Sequence, residues 1–440
     1  MDGTRFAFSQ KARRTLAPPI SYLMAEAVTN PNLISLAAGL VDYDSLPVGC
    51  VREAMARLLG DETAGRAALQ YGTTSGLAEL REAVLTHLER LESRSRAALN
   101  LTADHVVVTT GSQQMLYLLT ELLVDPGDIV ITAAPSYFVY AGVLEAAGAR
   151  VLTVPADGGG MRTDALGALL ERCRANGELG RVKLIYVVSY FDNPTGVSVA
   201  ASRRPEFVQL ARTYSTDHRI LVVEDAAYRE LRYEGDDEPC IKAFDTRNEF
   251  VALTMTFSKP LAAGLKTGYS FLPAELVVPV LDEKGNHDFG SANLIQHLLY
   301  DLLRRGEYDA HVRELRRTYR AKRDVALAAL DRELGGQAGV CWTRPRGGLY
   351  IWLTLPEDVD TGRESELFRR CVEAGVLYVP GEYCFVRQPG EAVPRNHLRL
   401  SFGVARPDQI EEGVRRLARC VRRQVTSARC IGAVHSAKAV

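Results

Sequence analysis

The chain has 440 residues, with 53 Lys and Arg against 54 Asp and Glu and a formal net charge of −1. At 47% hydrophobic and 24% charged residues it has the composition of a folded globular protein, not of a disordered, collagenous or coiled-coil chain. The charge balance leaves no basic footprint for nucleic acid or acidic lipid, no apolar run approaches the ~18 residues of a membrane span, and the charged first fifteen residues do not read as a signal peptide.

In chain order, the first 45 residues read as irregular, broken by Pro18, Pro19 and Pro31, with Pro47 just after them. Helical periodicity begins at 51–59 and 77–91. From residue 105 short apolar runs alternate with helical ones. Val106–Thr109 precedes a helix over Ser112–Leu123, and 129–131 precedes a helix from about 137 to 147. Further strand-like runs lie at 151–154, 184–188, 220–223 and 251–255. Apolar strands without polar alternation, separated by helices, predict a mostly parallel sheet covered on both faces. Beyond Ser291 the pattern turns helical, with a long charged amphipathic stretch over Glu307–Leu334. Short strands at 349–353, 376–379 and 397–401 then suggest a smaller α+β unit, and the last ~18 residues show no clear period and read as a loose tail.

The eight cysteines form no C-x-x-C pair and read as reduced thiols in a cytoplasmic protein; no histidine spacing suggests a metal site. In such sheets ligands bind beyond the carboxyl ends of the strands. There the chain carries Gly111-Ser112-Gln113, Asn193-Pro194-Thr195-Gly196, Glu224-Asp225-Ala226-Ala227-Tyr228 and Thr256-Phe257-Ser258-Lys259, followed by Lys266. Glycine and serine opening a helix make an anion site or a plain N-cap, and a strand-end acid is often only a cap. The Ser/Lys and Lys-Thr-Gly elements also raise a serine-acylating hydrolase. That reading fails, because Thr256 stands where its serine is needed and the two lysines are only 7 residues apart (266 − 259). A lysine that forms a Schiff base, set among hydroxyls with a second cation, suits a ligand with both an aldehyde and a phosphate.

The ordered set of Tyr71, Gly111-Ser112-Gln113, Pro135-Ser136-Tyr137, Asn193-Pro194-Thr195-Gly196, Asp225 with Tyr228, Thr256 with Ser258-Lys259, and Arg399 resembles the fold-type I, pyridoxal-phosphate-dependent aminotransferases of class I/II. The likeness runs from about residue 35 to 417. It is greatest to the kynurenine/2-aminoadipate branch, through 34–39, 347–352, 379–381 and 398–402. The resemblance implies an α/β fold: a large domain (46–300) with a mostly parallel mixed sheet flanked by helices, a smaller α+β C-terminal domain (301–440), and an N-terminal arm (1–45). It implies that Lys259 holds the cofactor aldehyde as an aldimine and moves the substrate Cα proton. Asp225 would pair with the pyridine nitrogen, and Asn193 and Tyr228 would bond the ring oxygen. Tyr137 would stack on the ring. Ser112, Gln113, Thr256, Ser258 and Lys266 would hold the phosphate, with Tyr71 arriving from the second subunit of a homodimer. Arg399 would clamp the substrate carboxylate, with Gly39 and Asn193 beside it.

Two departures stand out. Lys266 occupies a position where the family usually has Arg, which supplies charge without a planar fork and predicts a weaker phosphate grip. Asp192 precedes Asn193 where Gln is frequent. Asp42 or Asp44 could favour a basic substrate side chain. The alternative activity is another pyridoxal-phosphate reaction on an amino acid (elimination, cyclisation or oxidation) on the same chassis. A non-enzymatic regulator needs a DNA-binding module, and about 34 residues ahead of the matched region are too few for one.

Overall fold

The computed structural model describes residues 6–17, 30, 32–388 and 390–436, with side chains through residue 425. The strands in chain order are β1 (Ile34–Ser35), β2 (Val106–Thr109), β3 (Ile129–Ala134), β4 (Arg150–Asp157), β5 (Gly160–Met161), β6 (Val182–Val188) and β7 (Leu221–Asp225). They continue as β8 (Val251–Thr256), β9 (Gly268–Phe271), β10 (Cys341–Trp342), β11 (Tyr350–Thr354), β12 (Val376–Leu377), β13 (Val379–Pro380) and β14 (His397–Ser401).

Eight of them form one sheet in the order β2-β9-β8-β7-β6-β3-β4-β5. The run β8-β7-β6-β3-β4 is parallel; β9 runs against both β2 and β8. Alternate residues of these strands bury on opposite faces. Val130, Leu184 and Val223 pack with the helices Ser112–Leu123 and Phe138–Ala147. Ile129, Ile131, Ile185 and Val222 pack with Thr163–Ala175 and Arg204–Tyr214. Burial on both faces is why the strands read as unbroken apolar runs. The carboxyl ends of β2, β6, β7 and β8 therefore share one edge, and β9 starts there.

A second, antiparallel sheet has the order β10-β11-β14-β13. The helix Glu307–Leu334 buries Tyr308, Val312, Leu315, Tyr319, Lys322 and Arg323 on one side. β1 pairs in parallel with β12, and Leu36 is tied on both sides: its N–H donates to Leu377 O (2.9 Å) and its carbonyl accepts from Ser401 N (2.6 Å). The N-terminal segment is thereby threaded over the second sheet, directly before Ala37 and Gly39.

Two expectations differ from the structure. The run at 376–379 is not one strand: Val376–Leu377 pairs with β1 and Val379–Pro380 with β14, with buried Tyr378 at the break. The final stretch, read as lacking a clear period, is helical as far as Ser436 within the helix Pro407–Ser436. No helix among the described residues is long and apolar enough to cross a membrane.

Candidate active site

The shared strand edge collects the predicted residues. Asp225 ends β7, between Val188 of β6 and Thr254 of β8 in register. Its carboxylate is buried and accepts from Tyr186 Oη (3.0 Å) and Ala227 N (3.1 Å). Burial lifts its pKa to about 6, held back by those two donors and by nearby Lys259. A buried acid with only neutral hydrogen-bond partners is poised for a cationic ligand atom. Tyr137, just ahead of the helix Phe138–Ala147, lies close enough to Asp225 that burial first, and the carboxylate second, push its phenol up.

Lys259 follows β8. Its Nζ donates to Gly39 O at 2.8 Å and stands 6.0 Å from the Tyr228 ring centroid. Tyr228 is buried, and its Oη is 3.1 Å from Tyr350 Oη. Asn193 is buried and accepts from Arg399 through Oδ1 (2.7 Å). Beside it Asp192 accepts from Thr195 Oγ1 (3.1 Å), and desolvation lifts its carboxyl to about 8, so at neutral pH it is mostly uncharged.

An anion cradle forms one strand further along. Register aligns Thr109 with Gly268 and Gly268 with Thr256, so the ends of β2 and β8 flank the start of β9. A Cβ on Gly268 would lie 2.6 Å from Ser112 N, and only glycine allows this approach. Gly111 takes φ +75° to open the helix, leaving the first backbone N–H groups at Ser112 and Gln113 free to face an anion. The exposed Lys266, itself at φ +46°, brings its Nζ to 3.9 Å from the Cβ position of Gly111. On the β8 side Thr256 Oγ1 donates to Ser258 Oγ (3.0 Å) and accepts from Ser258 N (3.1 Å).

Arg399 comes from the other sheet. It sits on β14 between β11 and β13, opposite Trp352 and Val379, and is 1% exposed. One guanidinium nitrogen donates to Asn193 Oδ1 and another to Ala37 O (2.7 Å), while buried Nε has no hydrogen-bond partner. A buried guanidinium with an unused donor is out of balance in a closed core and suits a site that receives a carboxylate.

A class I and II aminotransferase model matches residues 31–417. The chain belongs to this family. It is 32% identical to aromatic-amino-acid aminotransferase 1 of Thermococcus litoralis (95% of this chain, 94% of the relative). It is 33% identical to 2-aminoadipate transaminase of Thermus thermophilus (94% and 96%). Among solved structures, the kynurenine aminotransferase of Pyrococcus horikoshii superposes with a TM-score of 0.84 at 32% identity, covering 94% of this chain and 97% of that one. The protein is thus an aminotransferase of fold type I that depends on pyridoxal phosphate. The donor set fits that group: an acid with neutral partners for a ring nitrogen, an amine for an aldehyde, and free helix N–H groups with an ammonium for a phosphate.

Two sequence-derived residues lie elsewhere. Tyr71 is 83% exposed and its ring meets Phe289 edge-on rather than the cradle. Asp42 does not face the site: it is buried, ion-paired with Lys322 and bonded by Ser45 N (3.0 Å), while its own N–H donates to Tyr319 Oη (2.8 Å). The idea that Asp42 selects a basic substrate is therefore corrected, because its charge is already compensated inside the fold. Asp44 is exposed. The sequence reading missed Tyr186, Ala37 and Tyr350. Tyr186 could have been found, since a tyrosine in the middle of a doubly buried strand needs a partner for its hydroxyl. Ala37 acts through its carbonyl and leaves no side-chain signal.

Proposed function

We propose that the aminotransferase works through Lys259, Asp225, Asn193, Tyr228 and Arg399. The observation that carries this is Lys259 standing beside the Tyr228 ring and near the buried Asp225, while Arg399, from the second sheet, bonds Asn193. Bound pyridoxal phosphate supplies the aldehyde that takes up the amino group and the ring that accepts electron density from the substrate Cα. Asp225 holds a proton on the ring nitrogen by charge. Asn193 and Tyr228 donate to the ring oxygen, and Tyr137 covers the ring face. Ser112, Gln113, Thr256, Ser258 and Lys266 hold the phosphate by backbone N–H, hydroxyl and ammonium donors. Arg399 orients the substrate through its carboxylate beside Gly39. Lys259 Nζ would take the Cα proton of the bound amino acid and return it.

We place the arm at 1–45, the large domain at 46–300 and the small domain at 301–440. The β1–β12 pairing supports an arm that packs with the small domain. A homodimer accounts for Tyr71, whose exposed ring sits with exposed Leu69 and Phe289 at a cleft, ready to complete a neighbour's phosphate site. The described cysteines are all free, which suits a reducing cytoplasm.

The test is a half-reaction assay. Purified holoenzyme is mixed with single L-amino acids (aromatic, aminoadipate-like, basic and small), and the visible cofactor band is followed. One or more donors should bleach the band, and a 2-oxo acid should restore it. A band that returns unaided with a new product formed would show elimination or a related reaction and overturn the transfer reading.

A further inference from the structure

Tyr350, like Arg399, carries a contact from the second sheet to the catalytic floor. It opens β11 and is 1% exposed. Its Oη lies 3.1 Å from Tyr228 Oη, and the two rings cross at 77° with centroids 5.6 Å apart. The Arg399 guanidinium stacks over its ring at 4.3 Å. A Cβ on Gly39 would come within 2.6 Å of its hydroxyl. One side chain thus contacts the ring-oxygen donor, the carboxylate clamp and the segment that binds Lys259.

The proton count decides the direction of the hydroxyl pair. Each phenol has one hydrogen to give. If Tyr228 gives its hydrogen to the cofactor's ring oxygen, the bond between the two hydroxyls can only be donated by Tyr350. A hydroxyl that accepts one hydrogen bond donates the next more strongly. Burial, and then Tyr350, push the Tyr228 phenol well up, so it stays protonated and able to donate.

We propose that Tyr350 is a positioning residue: its hydroxyl donates to Tyr228 Oη and so aims the Tyr228 hydrogen at the cofactor's ring oxygen, while its ring backs the Arg399 guanidinium. The assignment rests on the reading of the Lys259 site given above. The other titratable groups around the pair are Tyr137, Arg399 and Lys259, with Asp225 near Tyr137 and Tyr319 on the helix Glu307–Leu334.

The experiment titrates the colour of the holoenzyme with pH for the wild type, Tyr350→Phe and Tyr350→Leu, alongside kcat and KM for one donor. A donor on the ring oxygen favours the chromophore's deprotonated form, so weakening it raises the apparent pKa. Tyr350→Phe should raise it by about half a unit or more and lower kcat several-fold, while KM changes by less than about twofold because the ring over Arg399 remains. Tyr350→Leu should add a several-fold rise in KM. Equal melting temperatures of the wild type and Tyr350→Phe exclude a folding defect in that variant. A Tyr350→Phe enzyme that titrates as the wild type does, or a wild-type band that does not titrate, overturns the assignment. So does a KM rise as large in Tyr350→Phe as in Tyr350→Leu, which would mean the hydroxyl touches substrate. Absence of any visible cofactor band in the wild type would instead sink the underlying reading of the site.

Discussion

Asp225 and Asp42 are both buried carboxylates, yet they do opposite work. Asp42, on the loop after the N-terminal strand, is matched by Lys322 from the helix Glu307–Leu334, so its charge closes on itself within the fold. Asp225, at the end of a sheet strand, has a phenol and a backbone amide as partners, and burial raises its pKa to about 6. A buried acid with a cation of its own is architecture. A buried acid whose hydrogen-bond partners are all neutral is held in reserve for a charge that arrives with a ligand.

The largest effect that could break this contrast is on Asp42. Asp42→Asn strands the Lys322 ammonium in the interior and should lose about 3–5 kcal/mol of stability in chemical denaturation. The ratio of kcat/KM between basic and aromatic donors should not move. A collapse of the basic donor alone, with stability intact, would return Asp42 to the substrate pocket.

Asp225→Asn sharpens the other side. Folded Asp225 binds its proton more tightly than the unfolded chain does, so it removes stability as pH rises from about 4 to about 6, and the loss persists above. Cofactor-free Asp225→Asn should therefore be more stable than the wild type at pH 7.5, by on the order of 2 kcal/mol, and no more stable at pH 3.5. The same variant should transfer amino groups far more slowly. Equal stability at both pH values would mean that Asp225 is not held against its charge.

Most of the floor was legible from the sequence because each element ends on a chemically distinctive residue: Asp225 after an apolar strand, Asn193-Pro194 after another, Lys259 after hydroxyls. The clamp role proposed for Arg399 rests on likeness to known enzymes, since a lone arginine in a short strand has no local signature. The roles of Tyr350 and Ala37 and the Lys322 partner of Asp42 were not legible. They come from contacts 122, 362 and 280 residues apart in the chain, which no local pattern encodes. The antiparallel β9 escaped notice too, because four residues beginning with glycine show no periodicity.

Smaller effects test the two ends of the ligand. Arg399→Lys keeps the charge and loses the fork, and should lower kcat/KM for amino and oxo acids alike by about 10- to 100-fold, with the cofactor spectrum unchanged. Lys266→Arg supplies a fork at the phosphate and should tighten cofactor retention in equilibrium dialysis by about three- to tenfold. Wild-type enzyme that keeps its cofactor through long dialysis would contradict the weak grip assigned to Lys266.

The central claim is that Lys259, and neither Lys266 nor another lysine, carries the cofactor over Asp225. The most direct measurement is to load the enzyme with pyridoxal phosphate, trap the link by borohydride reduction, digest, and locate the adduct by peptide mass spectrometry. The account predicts a single labelled lysine, Lys259, and no stoichiometric label in Lys259→Ala. Label on Lys266, or label spread over several lysines in the wild type, would contradict it.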